Sequence, residues 1–401
     1  MSDTLALRPA LRPWLREKLL LGRGLRDYLR GFANPADLFT LLVLAVGLPI
    51  LVARFAFGLG AVTNLSQQTP WGLWIGFDML CGIALAAGGF SLAAAVHLFG
   101  LRAYEPVVKP AILTGFLGYL FAVFGLLADL GQPWRVWYPI AVSFGTTSVM
   151  FEVGWCVFLY TLVLFLEFSP ALFDWLGLRR WGRALARLTV FLTVAGVMLS
   201  TLHQSSLGAL FLLAPERLHP LWYSEFLPVF FFVSAIAAGL SMVILESSLA
   251  ERLFRDRLGR APHDLDQLVL GLGRGAAVVL FAYFFLRLQG LARGGRFDLL
   301  SGTWGGWYLL ELVGFVLVPC LLFVAGVRAD DASRVRFAAA LTVVGVVLGR
   351  LNVSIIAFDW AAPVRYVPSW MEVAVSVTLV TLAVQCYRFV VNRMEILGRT
   401  A

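Results

Sequence analysis

The sequence predicts an all-α, polytopic integral membrane protein with about ten transmembrane helices, arranged as two four-helix bundles plus flanking spans. The chain of 401 residues is 60% hydrophobic and only 14% charged, whereas soluble domains are about 25% charged. Its apolar runs are long enough to cross a bilayer as helices. Its basic residues alternate between loops in the way that membrane topology requires. The composition excludes an ordinary water-soluble enzyme and a nucleic-acid-binding domain.

Residues 1–36 precede the first apolar run and form a basic segment. The stretch from Leu11 to Gly31 mixes Leu and Trp residues with basic ones, which are Arg12, Arg16, Lys18, Arg23, Arg26 and Arg30. This pattern is typical of an amphipathic helix that lies on an anionic membrane surface. A frayed basic tail is the alternative. No short apolar region with a small-residue cleavage site precedes the first span, so we expect no signal peptide.

Ten apolar runs follow, and most exceed the roughly 17–25 residues that cross hydrocarbon as a helix. They are too long for barrel strands, and backbone groups in lipid must be paired within the segment. We therefore predict helical spans at residues 37–57, 72–99, 109–130, 146–168, 187–204, 226–249, 267–288, 306–327, 336–357 and 370–391. They form a membrane domain at 37–392, and residues 393–401 are a short tail.

The basic residues predict the orientation of these spans. If the N-terminus lies in the cytoplasm, 23 of the 32 Lys and Arg residues fall in cytoplasmic segments and five in the opposite loops. The others lie within spans or at their rims. Because cytoplasmic loops carry an excess of Lys and Arg, we expect both termini to be cytoplasmic. One span more or fewer would scramble this alternation.

Ionisable side chains inside the spans are the candidate functional residues, because burying each one in lipid costs on the order of a few kcal/mol. With a rise of about 1.5 Å per residue, five of them fall in the outer leaflet or at its rim. These are Asp78, Asp129, Glu152, His203 and Arg350. Independent structural ion pairs have no reason to choose one leaflet. Glu225 and Glu372, at the outer starts of two spans, are expected to join them.

A pocket with a histidine, carboxylates and an arginine suits a lipid-soluble substrate that takes up and releases protons. Quinone is such a substrate, because its carbonyls need hydrogen-bond donors in an apolar slot and its reduction consumes two protons. We expect His203 to donate to a carbonyl. One of Asp78, Asp129 and Glu152 would hold a proton and pass it on. Arg350 would tune these carboxyl groups.

Three tryptophans are candidates for the walls of the slot, namely Trp71, Trp74 and Trp155. Single tryptophans at the outer ends of spans are alternatively part of an interfacial aromatic belt. The carboxylates have alternatives as well. Asp78 follows a helix start and would pair with nearby N–H groups. Asp129 would face water or pair with Arg135.

Two further alternatives concern the other candidates. Glu152 and Arg350 would form a structural ion pair that holds two spans together. His203 would be a packing histidine.

The histidines also bear on whether the chain binds haem. His203 lies at the outer end of its span and His97 lies at the inner end of another, so they cannot share one iron. The pair of His203 and His219 is conceivable geometrically.

The four cysteines lie in apolar runs and form no C-x-x-C motif. We therefore predict that this chain binds no haem, metal or iron–sulfur cluster.

Five motifs carry a resemblance to a known family. They are FGLGAVTNL at 57–65, PWGLWIGFD at 70–78, AGGF at 87–90, HQSSLG at 203–208 and HPLW at 219–222. In this order they resemble the NrfD/HybB family, the polysulfide-reductase-type quinone-interacting membrane subunits, over roughly residues 37–392. The resemblance is closest to the ten-span HybB hydrogenase branch and to the related subunits of the Hmc and Qrc complexes.

The resemblance implies a subunit without a cofactor of its own that binds menaquinone or ubiquinone near the periplasmic face. It implies electron exchange with a docked ferredoxin-like four-cluster iron–sulfur subunit. A periplasmic hydrogenase, a molybdopterin-type subunit or a multihaem cytochrome c would complete the complex. By motif, Asp78 matches the family's W-x-x-x-D and Asp129 its D-L-G-x-P. His203 and Gln204 match the H-Q-S string, so Gln204 becomes a candidate quinone ligand.

The predicted function is therefore that of the quinone-reactive membrane subunit of a respiratory oxidoreductase complex, not catalytic alone. Membrane lipid and the redox subunits are its expected partners, with no nucleic acid, and loops 131–145 and 205–225 would face the iron–sulfur subunit. A secondary transporter or proton channel is one alternative, but the mid-span glycines at 88, 89 and 125 coincide with no cluster of charge. A passive anchor for a periplasmic enzyme is the other, and it leaves the buried ionisable groups unexplained.

Overall fold

The structure is a computed structural model, and it describes residues 16–30, 34–258 and 262–397. Within these residues the only β pairing is an isolated bridge between Leu218 and Phe358. Ten helices are long and apolar enough to cross a membrane, which we number as spans 1 to 10: Pro35–Phe57, Trp74–Leu98, Arg102–Asp129, Val149–Leu176, Thr189–Leu213, Leu227–Phe254, Leu265–Arg293, Thr303–Arg328, Ala332–Ile356 and Trp370–Arg393. The predicted all-α polytopic fold with ten spans is confirmed.

The ends of some spans differ from the predicted ones. Span 4 continues to Leu176, past the predicted end at 168, and stops where Gly177 adopts a left-handed conformation with φ 81°. Span 5 continues to Leu213, past the predicted end at 204. The reason is physical: hydropathy marks the part of a helix that lies in hydrocarbon, whereas the hydrogen-bonded helix runs on into the interface.

The loops between the spans define two faces. The loops at 58–73, 130–148, 214–226, 294–302 and 357–369 lie on what we call the distal face. The start of span 1 and the end of span 10 lie on the opposite, terminal face. Ion pairs tie each face together, since Arg217 pairs with Asp359 at 2.5 Å on the distal face and Arg388 pairs with Asp37 on the terminal face.

The spans pack as two bundles. Spans 2 to 5 pack on one another and form the first bundle, and spans 6 to 9 form the second bundle. Spans 1 and 10 flank the first bundle, where they pack against each other and against span 3. Span 6 joins the bundles by packing on spans 2 and 5. This is the predicted arrangement of two four-helix bundles with flanking spans.

A contact between glycines joins the two bundles at the middle of the membrane domain. A Cβ atom at Gly239 of span 6 would lie 2.5 Å from the backbone nitrogen of Gly88 in span 2. A Cβ atom at Gly88 would lie 2.9 Å from the carbonyl oxygen of Gly239. Small residues allow helices in membranes to approach this closely. The mid-span Gly88 therefore has a packing role.

Several spans contain a turn of π-helix in their distal halves. These turns are Trp74–Met79 in span 2, Leu310–Leu317 in span 8 and Asn352–Ile356 in span 9. The extra residue in a π turn re-aims the side chains of the helix, and such turns are frequent at functional sites. Asp78, Glu311 and Asn352 lie within them.

The N-terminal segment differs from its prediction. Residues 16–20 are helical and a second helix covers Leu25–Arg30, but Leu21 and Gly22 between them have positive φ values of 54° and 77°. The prediction of a single helix over 11–31 is therefore wrong for the described part, because a positive φ interrupts a right-handed helix. Residues 11–15 and 31 lie outside the described residues. Arg393 at the end of span 10 donates to the carbonyl of Leu19 at 2.6 Å.

Candidate functional site

The distal ends of spans 1, 2, 3 and 10 bring several ionisable side chains together, and we call this group the carboxylate cluster. Its members are Arg54, Asp78, Asp129, Tyr366 and Glu372. Asp78 is 7% exposed, and its Oδ2 accepts a hydrogen bond of 2.6 Å from the Ser376 hydroxyl. Asp129 is near enough to interact with Asp78 electrostatically. Two of the predicted proton-carrying residues therefore lie in one place.

Span 3 approaches Asp78 closely because it has a glycine there. A Cβ atom at Gly125 would lie 2.7 Å from the Cβ atom of Asp78. The buried backbone of span 3 thus forms one wall around this carboxylate. The alternative, in which Asp78 pairs with N–H groups at the helix start, is not what the structure has, because its partner is a hydroxyl on span 10.

Asp129 is half-buried at the end of span 3. Its Oδ1 atom is buried and has no hydrogen-bond partner among the described residues. The nearby cation is Arg54, not Arg135. Arg54 is 2% exposed and donates to the carbonyls of Ala128 and Leu130, on either side of Asp129. An ion pair with Arg135 was the alternative for Asp129, and the described residues contain no such pair.

Glu372 ties the distal loops to span 10. It completes a capping box with Ser369 at the start of that helix. Its Oε2 atom accepts from the backbone nitrogens of Ser369 at 2.8 Å and Asn64 at 3.0 Å, and its Oε1 atom accepts from the hydroxyl of Tyr366. Glu372 is 1% exposed, so its charge is held by several donors in the protein.

Tyr366 links the loop at 357–369 to the start of span 2. Its hydroxyl donates to Glu372 and accepts a hydrogen bond of 2.9 Å from the backbone nitrogen of Leu73. Burial, followed by the hydrogen bond to Glu372, raises the pKa of Tyr366 above its usual value. The phenol therefore stays protonated at every physiological pH. A side chain at position 72 would overlap it, since a Cβ atom at Gly72 would lie 2.5 Å from the Tyr366 hydroxyl.

The three predicted wall tryptophans occupy different places. Trp74 is 1% exposed beside the cluster, and its Nε1 donates to the Glu372 carbonyl at 3.1 Å. Trp71 stacks on Phe358 with ring centroids 5.8 Å apart on the distal face. Trp155 packs against Phe144 at 6.2 Å on span 4. Among the three, Trp74 is hydrogen-bonded to a member of the carboxylate cluster.

His203 lies fully buried inside the first bundle. Its Nδ1 donates to the Leu199 carbonyl at 2.9 Å, and its Nε2 therefore accepts from the hydroxyl of Tyr119 at 2.5 Å. Gln204 donates to the Ile83 carbonyl at 3.1 Å. With both ring nitrogens engaged, His203 has no free donor for a quinone carbonyl and no free nitrogen for a haem iron. This is the arrangement of a packing histidine.

Glu152 and Arg350 are not paired with each other. Glu152 is exposed at the start of span 4 and accepts from the Ser206 hydroxyl at 2.6 Å. Arg350 is buried on span 9 and donates to the Phe231 carbonyl at 2.8 Å. The alternative of an ion pair between them is therefore wrong. Neither residue is a member of the carboxylate cluster.

A second polar network, in the second bundle, was missed from the sequence. The Oε1 atom of Glu311 accepts from Arg287 at 2.8 Å. Its Oε2 atom accepts from Trp222 at 2.7 Å and from Asn352 at 2.6 Å. Glu311 and Arg287 are 2% and 7% exposed. The signal was available, because a glutamate within an apolar span is a functional candidate by default.

The described residues do not offer a metal centre. They contain no group of three or more His, Cys, Asp and Glu side chains placed to hold a metal ion. His203 has both ring nitrogens engaged within the first bundle and His97 lies near the terminal end of span 2, so these two histidines do not share an iron.

Comparison with known proteins places the chain among similar sequences. A family model described as polysulphide reductase, NrfD, matches residues 61–358. A protein of Nitratidesulfovibrio vulgaris strain Hildenborough is 48% identical over 371 residues, which are 92% of this chain and 96% of that protein. The probable Ni/Fe-hydrogenase 2 b-type cytochrome subunit of Escherichia coli K12 is 35% identical over 375 residues, or 91% and 93% of the two chains.

The menaquinone reductase integral membrane subunit of the same Nitratidesulfovibrio strain is also similar. It is 28% identical over 377 residues, which cover 86% of this chain and 87% of that subunit. The similarity in all three cases extends over most of both chains.

Proposed function

The chain belongs to the polysulphide reductase NrfD family, and we propose that it is the quinone-reactive membrane subunit of a multi-subunit respiratory oxidoreductase. Relatives named as subunits of a Ni/Fe-hydrogenase and of a menaquinone reductase support this proposal. In it, menaquinone or ubiquinone is the substrate and this chain supplies no haem, metal or iron–sulfur cluster. The chain is then not catalytic alone, because the electrons come from or go to a partner.

The observation that carries the proposal is the pair of carboxyl groups at the distal ends of spans 2 and 3. Reduction of a quinone consumes two electrons and two protons, so its site needs groups that deliver protons within the membrane. Asp129 has a buried oxygen with no partner among the described residues, and Asp78 lies within electrostatic range of it. These carboxyl groups are suited to exchange protons with the oxygens of a quinone in turn.

The surroundings of the two carboxyl groups support this role. Arg54 is bound to backbone carbonyls beside Asp129, so it supplies positive charge without occupying the free oxygen. Tyr366 and Glu372 fix the distal loop against the start of span 2. Trp74 contributes the apolar wall beside Glu372. In this proposal His203, Gln204 and Arg350 shape the bundles instead of contacting the quinone, which revises their expected roles.

The partner would bind the distal face, which the basic-residue bias makes periplasmic. A ferredoxin-like iron–sulfur subunit seated there would bring a cluster close to the distal carboxyl groups, so that electrons and protons meet at one end of the membrane domain. A hydrogenase, molybdopterin-type or multihaem cytochrome subunit would in turn exchange electrons with the iron–sulfur subunit. The loops at 131–145 and 205–225 remain the proposed contacts.

Replacement of Asp129 with Asn tests the site in the assembled complex. The substitution keeps the size of the side chain and removes its capacity to exchange a proton, so quinone turnover should fall tenfold or more. General acid–base groups typically contribute about 10²–10⁴-fold. Asp298→Asn is the matched control, because this exposed carboxylate lies in the distal loop at 294–302, outside the proposed partner contacts.

Two results would contradict the site. Unchanged turnover in Asp129→Asn with a normally assembled complex would remove this residue from the mechanism. A larger loss in a well-folded His203→Ala variant than in Asp129→Asn would move the site from the distal end of spans 2 and 3 to the interior of the first bundle around His203. A chain that purifies alone and transports a solute into liposomes would favour a transporter instead, and a complex that retains quinone turnover without this chain would leave it a passive anchor.

A further inference from the structure

Arg350 is a buried cation without a matching anion. It is 4% exposed on span 9. One amino group donates to the Phe231 carbonyl at 2.8 Å, and the guanidinium lies over the Phe231 ring, 3.6 Å from its centroid. Its Nε–H group is buried and has no partner among the described residues. A buried guanidinium with an unsatisfied donor is costly unless something supplies the acceptor and the opposite charge.

The neighbouring carboxylate does not supply that charge. Glu311 pairs with Arg287 at 2.8 Å, and its other oxygen accepts from Trp222 and Asn352. Glu311 therefore neutralises Arg287 and is saturated with donors. Arg287, which has the same sign, lines the same cavity as Arg350. The three charged side chains together leave one positive charge uncompensated.

The thiol of Cys81 does not compensate Arg350 either. It donates toward the Gly76 carbonyl at 3.3 Å and the Val347 carbonyl at 3.8 Å, and both contacts require a protonated thiol. The hydroxyl of Tyr283 accepts from Arg287 at 3.0 Å, and its own hydrogen has no acceptor among the described residues. Donors are therefore in excess around Arg350.

Arg350 faces a small cavity inside the second bundle. The cavity has a free volume of about 20 Å³, enough for one or two water molecules or one monoatomic ion. Tyr283, Arg287, Glu311 and Arg350 line it, and both carboxylate oxygens of Glu311 already accept from other donors. Glycines at 345 and 349 of span 9 also line it.

A second cavity lies beside this one, on the side of the distal face. It has a free volume of about 10 Å³ and shares Trp222, Phe230 and Arg287 with the first cavity. Its other lining residues include Ser224 and Arg296, which belong to the distal loops. An ion entering from the distal face would thus pass the guanidinium of Arg296 before it reaches Arg287.

From this geometry we propose that the second bundle holds a small inorganic anion, such as chloride, against Arg350 and Tyr283. The anion accepts from the unpaired Nε–H of Arg350 and from the hydroxyl hydrogen of Tyr283, and it balances the uncompensated positive charge. The size of the cavity admits a halide and excludes polyatomic anions the size of gluconate. The site lies in the second bundle and is separate from the carboxylate cluster, so it does not depend on the proposed function.

The test compares anions at constant ionic strength on the purified full chain, together with any subunits that co-purify. A ligand that binds only the folded state stabilises it by RT ln(1 + c/Kd), where c is the free ligand concentration, and so raises the melting temperature. We expect the melting temperature to rise by several degrees in chloride or bromide relative to gluconate. Radiolabelled chloride should bind with a stoichiometry of one per chain, and bromide should displace it.

Arg350→Gln should abolish both the bound chloride and the difference in melting temperature between chloride and gluconate. Arg293→Gln is the matched control, because it removes a guanidinium that is 65% exposed on the distal side and should leave both measurements unchanged. The proposal is overturned if the wild-type chain melts at the same temperature in both anions or binds no chloride, since water alone then fills the cavity. Chloride dependence that persists in Arg350→Gln overturns it equally. The wild-type comparisons decide the matter even if that variant fails to fold.

Discussion

At the scale of single residues, the hydrogen bonds of a buried side chain decide whether it can meet a substrate. Asp129 retains a carboxylate oxygen with no partner among the described residues. Both ring nitrogens of His203, by contrast, are hydrogen-bonded within the protein, to Leu199 and Tyr119. Both residues looked equally suitable by depth along their spans. The free oxygen is the reason that the proposed proton chemistry rests on Asp129.

His219 offers a prediction at the same scale. It is 5% exposed in the loop at 214–226, and its Nδ1 accepts from the backbone nitrogen of Leu221 at 3.2 Å. Burial and the nearby Arg296 lower the pKa of His219. In the unfolded chain His219 is therefore protonated near pH 6.5, whereas in the folded protein it is still neutral there. Folding stability falls as the pH drops below that value.

We expect His219→Asn to reduce this loss, because the asparagine oxygen can still accept from Leu221 and does not titrate. The contribution of one such group is at most about 1.4 kcal/mol per pH unit. Thermal unfolding of both proteins between about pH 8 and pH 5.5 measures it. The slopes should agree at the upper end, where histidine is neutral in both states. Identical slopes at the lower end would contradict the prediction.

At the scale of the helical elements, the crossing of spans 2 and 6 holds the two bundles together. A Cβ atom at Gly239 would lie 2.5 Å from the nitrogen of Gly88 and 2.6 Å from the carbonyl carbon of Ala87. Both neighbours are backbone atoms, so they cannot rotate away as a side chain could. The spans would have to separate along their whole contact.

We therefore expect Gly239→Ala to destabilise the folded protein by about 1–3 kcal/mol, the usual cost of overpacking. Thermal unfolding in detergent measures the change. Gly154→Ala is the control, because a Cβ atom there meets nothing within 4 Å. That variant should be neutral or gain up to about 1 kcal/mol, since alanine favours helix more than glycine does. Equal stability of the two variants would show that the bundles are held elsewhere.

At the scale of the whole molecule, the orientation in the membrane decides where substrate and partner meet. The carboxylate cluster and the second cavity both lie next to the distal loops. If the basic-residue bias holds, those loops are periplasmic. Partner docking and the supply of anions would then come from that side.

Cysteine labelling in intact cells tests this orientation. A cysteine introduced at Asp298 lies in the distal loop at 294–302 and should react with a membrane-impermeant maleimide from outside. A cysteine introduced at Arg334, which is exposed on the terminal side, should react only after the membrane is opened. The native Cys81, Cys156 and Cys320 are buried and Cys386 is half-buried, so the two variants are made in a Cys386→Ala background. The reverse pattern would place the distal face in the cytoplasm.

Much of the architecture follows from the sequence alone, because lipid imposes a local rule. Every backbone group must be paired within its own segment, so a long apolar run specifies a helix without reference to its neighbours. Ten such runs gave the ten spans, although the ends of spans 4 and 5 extend beyond the hydrophobic stretch. The motifs likewise identified the family before any distance was known.

The partners of each buried side chain depended on tertiary structure. Depth along a helix says how far a residue lies from a membrane surface, but not which way it points around the helix axis. That rotation, together with π turns that shift it, places Asp78 against Ser376 and Arg350 against Phe231 instead of Glu152. It also joins Glu311 and Arg287 across two spans. The sequence by itself determined the helices, their number and the leaflet of most charges, while the packing of helix faces decided which charges meet.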